Sequence, residues 1–146
     1  MRALVFGALA LAMAGGCRHT DATPPPGDGV AELRWRFEPG PADEGIPKAA
    51  VVLRYDGTGT LDTGEGPREF TLGPIAMSGL LAAVEEAKPF AGKSHGDPAC
   101  KEKCSHDSLE VKPVRGASWT LARHGQATQE PVDEVFFRLL HGVRPR

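Results

Sequence analysis

What this chain lacks narrows it first. The net charge is −2 with no basic patch and no acidic tail, so nucleic acid is not an expected partner. No G-x-S-x-G elbow, H-E-x-x-H pair or phosphate-cradling glycine loop occurs; the usual signatures of serine hydrolases, zinc proteases and nucleotide-binding enzymes are absent. No internal repeat is present. The apolar run from Ala3 to Ala14 falls short of the roughly 20 residues a spanning helix needs. Asp62-Thr63-Gly64 matches the aspartic-protease triplet, but that chemistry needs two carboxylates sharing a proton and the triplet occurs once, in a turn-rich stretch. No convergent acid, base and nucleophile stand out, so the expectation is a protein that is not an enzyme.

Cysteine is scarce, and one of the three carries the most information. Met1-Arg2 is followed by the apolar run and then by Gly15-Gly16-Cys17. This stretch resembles the signal peptide and lipobox of a bacterial lipoprotein. The resemblance implies that residues 1–16 are removed and that the Cys17 thiol receives a diacylglycerol. Two or more acyl chains of the palmitate kind, at about 0.8 kcal/mol per buried CH2, then anchor the protein stably. The implied location is the bacterial cell envelope, membrane-anchored and facing the periplasm or the surface. An ordinary secretory signal with a chance cysteine and a short anchor helix are the competing readings.

Residues 17–29 then form a tether. Pro24-Pro25-Pro26 among Thr, Gly and Asp cannot build a core and stiffens the linker. Residues 30–146 are long enough for one domain. Within it Val30–Phe37 alternates: Ala31, Leu33, Trp35 and Phe37 on one face, Glu32, Arg34 and Arg36 on the other, a strand with one wet side. Trp35 and Trp119 each sit on an apolar strand face, which favours core over ligand stacking. Glu38–Pro47 is a loop. Ala50–Tyr55, Thr58–Thr63 and Arg68–Leu72 read as strands joined by Asp56-Gly57 and Gly64–Pro67 turns. The period then lengthens. Pro74 opens a helix with Met77, Leu80, Leu81, Val84 and Ala87 on one side, and Pro89 ends it. Ser108–Val114 and Ala117–Ala122 form a second hairpin. A last helix from Pro131 carries Val132, Val135, Phe136, Leu139 and Leu140, with Gly142 as C-cap. The fold class expected is α+β: an antiparallel sheet of about five to six strands, two helices packed on one face, and Arg34, Arg36, Arg54 and Glu110 on the bare face.

Leu72–Phe90 (LGPIAMSGLLAAVEEAKPF) resembles the central segment of emfourin-like inhibitors of thermolysin-type zinc proteases. Leu80, Val84, Ala87 and Phe90 match that pattern, and the order of strands before and hairpin plus helix after is similar. The resemblance implies the fold and, as one alternative function, inhibition of a zinc metalloprotease.

The densest chemistry lies in His95–Asp107 (HGDPACKEKCSHD). His95, Cys100, Cys104 and His106 could supply four zinc ligands, with Asp97 and Asp107 beside them. Their H-x4-C-x3-C-x-H spacing departs from the usual zinc-site arrangement, in which the cysteine pair and the histidine pair are separate. With Cys17 used by lipid, Cys100 and Cys104 remain as a pair in an oxidising compartment, where a disulfide is the default. So small a ring stabilises by only about 2 kcal/mol and serves to pin the loop. A metal site and a redox-active dithiol stay as alternatives; the latter is disfavoured because the spacing is not C-x2-C. His19, His124 and His141 read as isolated and exposed, and Glu85-Glu86 as a solvated helix face. The reading is a non-catalytic envelope lipoprotein, without cofactor or metal, whose domain binds a protein or cell-wall partner.

Overall fold

A computed structural model describes residues 29–100, 103–127 and 129–143. The expected signal peptide 1–16, the lipidation site Cys17 and the tether up to residue 28 lie outside the described residues.

The strands are β1 (Val30–Glu38), β2 (Ala49–Arg54), β3 (Thr58–Asp62), β4 (Pro67–Thr71), β5 (Ser94–Gly96), β6 (His106–Pro113) and β7 (Trp119–His124); the helices are α1 (Pro74–Ala87) and α2 (Glu130–Gly142). The class is α+β as expected, but the sheet has seven strands in the order β4-β3-β2-β1-β6-β7-β5. It is also not wholly antiparallel: β5 runs parallel to β7. Ser-His-Gly has no hydrophobic periodicity to announce a strand. β5 is ordered instead by β7, with the preceding Gly92 N–H donating to the Thr120 carbonyl at 2.9 Å.

The long central strand β1 organises the rest. It pairs with β2 on one side and β6 on the other, and its buried residues are Val30, Leu33, Trp35 and Phe37. Val30 takes the inward place expected of Ala31 because the register against β6 shifts between Val30 and Glu32. Such an irregularity adds a residue and resets which side faces in. From β2, β6 and β7 come Val51, Leu53, Leu109, Val111 and Leu121. They share one core with Met77, Leu80, Ala83, Val84 and Ala87 of α1 and Val132, Val135, Phe136 and Leu139 of α2. Leu81 and Leu140, on the edges of the helical stripes, are only partly buried. Removing a fully buried Leu such as Leu33 from this core to Ala costs about 2–5 kcal/mol, since the cavity refills poorly.

α1 stops at Ala87, and Pro89 falls inside a single 3-10 turn, Lys88–Phe90, as its missing N–H and fixed φ permit. Gly142 is not a left-handed cap. It is the last residue of α2, Val143 follows as cap, and a Cβ on Gly142 would sit 3.3 Å from the Leu72 side chain. Its smallness lets the end of α2 close over the start of α1.

Candidate functional site

The chemically rich residues meet where β6 begins and β7 ends. At this end both strands reach two residues further than their apolar alternation suggests. β6 starts at His106 rather than Ser108, and β7 runs to His124 rather than Ala122. The two added residues of each strand pair directly, His106 with His124 and Asp107 with Arg123. Successive side chains on a strand point to opposite faces, so one pair goes inward and the other outward.

The inward pair is a polar cluster in the core wall. Asp107 is 3% exposed. It accepts hydrogen bonds from Trp35 Nε1 and Arg123 Nε, both at 2.8 Å. The Arg123 guanidinium also donates to Asp133 Oδ1 at 2.6 Å and lies 4.9 Å from the centre of the Phe136 ring. Asp133, in the first turn of α2, accepts from the Ala127 backbone N–H at 2.8 Å as well. The chain Trp35–Asp107–Arg123–Asp133 thus ties β1, β6, β7 and α2 together. Burial pushes the Asp107 carboxyl above the ordinary carboxylate range, against the opposing pull of Arg123 and Trp35. Its partners are all structural and it faces the core, so the cluster orients the helix on the sheet.

The outward pair faces solvent. His106 Nδ1 and His124 Nδ1 are 2.7 Å apart, and His124 Nε2 lies 2.6 Å from Ser94 Oγ on β5. The rings are close to perpendicular with centres 4.3 Å apart. Both histidines are half-buried and Ser94 is exposed. β5 can lie this close to β7 only because position 96 is glycine: its φ is +114°, and a Cβ there would collide with the His124 carbonyl oxygen.

The cysteine loop buttresses this end of the sheet. Cys100 and Cys104 lie at disulfide distance, with Cα atoms 5.4 Å apart. Gly125, next to His124, packs on the pair: a Cβ there would be 3.4 Å from Cys104 Sγ, and its N–H donates to the Ser105 carbonyl at 2.8 Å. Gly40, after β1, is pressed more closely still on the Cys104 backbone, where a Cβ would collide.

The expected ligand set is therefore dispersed. His95 turns away, its Nε2 2.9 Å from the Phe90 carbonyl oxygen and its ring edge-on to Phe90. Asp97 caps the short turn Pro98–Cys100, accepting from the Ala99 N–H at 2.9 Å. The cysteines face each other, and Asp107 points into the core. Among the described residues no three His, Cys, Asp or Glu side chains gather as a metal site. His124, read as isolated, is instead the partner of His106. Reading β7 two residues further would have revealed it, because His-Asp at 106–107 and Arg-His at 123–124 are complementary when antiparallel. The remaining candidates have simpler places. Asp62 Oδ1 accepts from the Gly64 and Gly66 N–H groups at 2.8 and 3.3 Å, a turn. His141 is exposed, its ring tilted against that of Phe137 with centres 4.1 Å apart. Trp35 is buried in the core and Trp119 partly so.

A shallow depression of about 450 Å³ lies on the outer face, floored by Ser108 and Ala122 and flanked by Arg34, Arg36, Glu110 and Thr120. Ser108 and Ala122 are in register with Ser94, so the depression adjoins the histidine pair. No helix among the described residues is long and apolar enough to cross a membrane. No protein-family model, curated protein or solved structure matches this chain.

Proposed function

We propose that this protein is a lipid-anchored protein of the bacterial envelope whose α+β domain binds a protein or cell-wall partner without catalysing a reaction. The observation that carries the reading is Gly15-Gly16-Cys17 behind an apolar run and ahead of a proline-rich tether. Two features agree with it. The first strand begins at Val30, where the tether composition ends. A cysteine pair at disulfide distance suits an oxidising compartment. In this reading α1 and α2 cover one face of the sheet, and the outer face with Arg34, Arg36 and Arg54 is the side offered to the partner.

Inhibition of a zinc protease draws less support. Leu80, Val84 and Ala87, which carry the emfourin resemblance, are buried in the core and Phe90 is packed against it. Such positions speak for fold, since an inhibitor acts through surface residues.

Metabolic labelling with a fatty acid tests the anchor: label should enter the wild type and be absent from Cys17→Ser, which should leave the membrane fraction. Label and membrane partition unchanged in the variant refute it. The non-catalytic part is tested at Ser94, the hydroxyl aligned with an imidazole. A fluorophosphonate probe should leave Ser94 unmodified; labelling lost in His124→Gln would make the protein a serine hydrolase.

A further inference from the structure

We propose that His106 and His124 form a two-imidazole chelate for a divalent transition metal on the outer face, selective for copper(II) and nickel(II) over zinc(II). The inference does not depend on lipid anchoring. It replaces the ligand set suggested by spacing, since His95 and the two cysteines are engaged elsewhere.

The argument begins with the two Nδ1 atoms 2.7 Å apart. Two neutral imidazole nitrogens at this distance hold a single proton between them, and their lone pairs would otherwise repel. A cation can take the place of this hydrogen bond once the donor ring carries its proton on Nε2, which leaves both Nδ1 lone pairs to the metal. With metal–nitrogen bonds of about 2.0–2.1 Å, ligands at right angles stand about 2.9 Å apart and tetrahedral ones about 3.3 Å. The observed spacing is within a few tenths of an ångström of the right-angle value. Right-angle positions belong to the tetragonal and square-planar geometries of copper(II) and nickel(II), not to tetrahedral zinc. The order of intrinsic affinities, with copper(II) at its peak, points the same way for copper.

The surroundings prepare the pair. It is held by the rigid register of two adjacent strands, so little order is lost on binding. His124 Nε2–H can donate to Ser94 Oγ at 2.6 Å while Nδ1 binds the metal. This is the outer hydrogen bond that sets the tautomer and ring orientation of ligating histidines. Glu38 is in register with His106 on β1, which brings a carboxylate to the same row of the outer face; Arg36, two residues along, opposes it.

Full-length protein with its cysteines oxidised is titrated with copper(II), nickel(II) and zinc(II) chlorides by calorimetry. One copper ion per chain is expected, bound more tightly than nickel, and nickel more tightly than zinc. His106→Gln and His124→Gln should each weaken copper binding at least tenfold, while His95→Gln and His141→Gln leave it within twofold. Pulsed electron paramagnetic resonance of the copper-loaded wild type gives a readout that needs no variant: two coupled imidazoles are expected. One imidazole or none, copper affinity indifferent to both variants, or zinc bound best and only after reduction of Cys100 and Cys104 would each overturn the proposal.

Discussion

At the shared end of β6 and β7, two cross-strand pairs one residue apart have opposite fates. Asp107, buried, and Arg123, half-buried, face inward and are hydrogen-bonded to each other and to Trp35 and Asp133. His106 and His124 face outward beside Ser94, at the edge of a solvated depression. Both pairs are polar and both consist of short-range contacts. The difference is the surrounding dielectric. Inside, every donor and acceptor must be satisfied and losing one is costly. Outside, water can replace what a substitution removes, so a change there costs less stability.

The largest effect that tests this contrast is Asp107→Ala. It leaves the buried Trp35 N–H without its acceptor and removes one of the two carboxylates on Arg123, which keeps Asp133, and should destabilise the domain by about 2–3 kcal/mol in urea unfolding. His106→Gln on the opposite face should stay within about 1 kcal/mol. Equal losses in the two variants would erase the distinction. Next in size is the loop that pins this end. A double Cys100→Ser, Cys104→Ser variant should lose at most about 2 kcal/mol and remain folded; failure to fold would move the loop from periphery to core.

A smaller effect appears with pH. Burial raises the Asp107 carboxyl above its ordinary value of 3.8, so the folded state prefers the protonated form. Its contribution is full below that value and declines as pH rises through the raised folded value. Stability of the wild type relative to Asp107→Asn should therefore fall as pH is raised through this acidic window, measured by denaturant midpoints at successive pH values. A difference that grows with pH would mean that Arg123 outweighs burial. The smallest effect is Arg36→Ala on the outer face. Its side chain is exposed and in no ion pair among the described residues, so stability should change by no more than about 0.5 kcal/mol. If the outer face engages the partner, the same variant should weaken capture of envelope components.

Much of the fold is legible in the amino-acid order because period reports burial. Leu33, Trp35 and Phe37 alternate and are buried; Leu80, Val84 and Ala87, then Val132, Phe136 and Leu139, recur at helical spacing and are buried too. Legibility fails where burial no longer sets the pattern. β5 has no apolar residue. At the ends of β6 and β7, Asp107 and Arg123 take inward positions that a hydrophobic pattern assigns to apolar side chains. The apolar pattern therefore stops two residues short of this end of both strands, and the histidine pair lies beyond it.

The sequence by itself determined the α+β class, the two amphipathic helices, the first strand and the nearness of Cys100 to Cys104, because each depends on local period or on contacts close along the chain. Only the tertiary structure decided that Asp107 finds Trp35, 72 residues away, that a seventh strand lies parallel on the edge, and that His106 meets His124 instead of the cysteines. Those outcomes depend on which strand edges become neighbours, and strand register is set by the burial of the whole sheet face, which no short stretch of sequence contains.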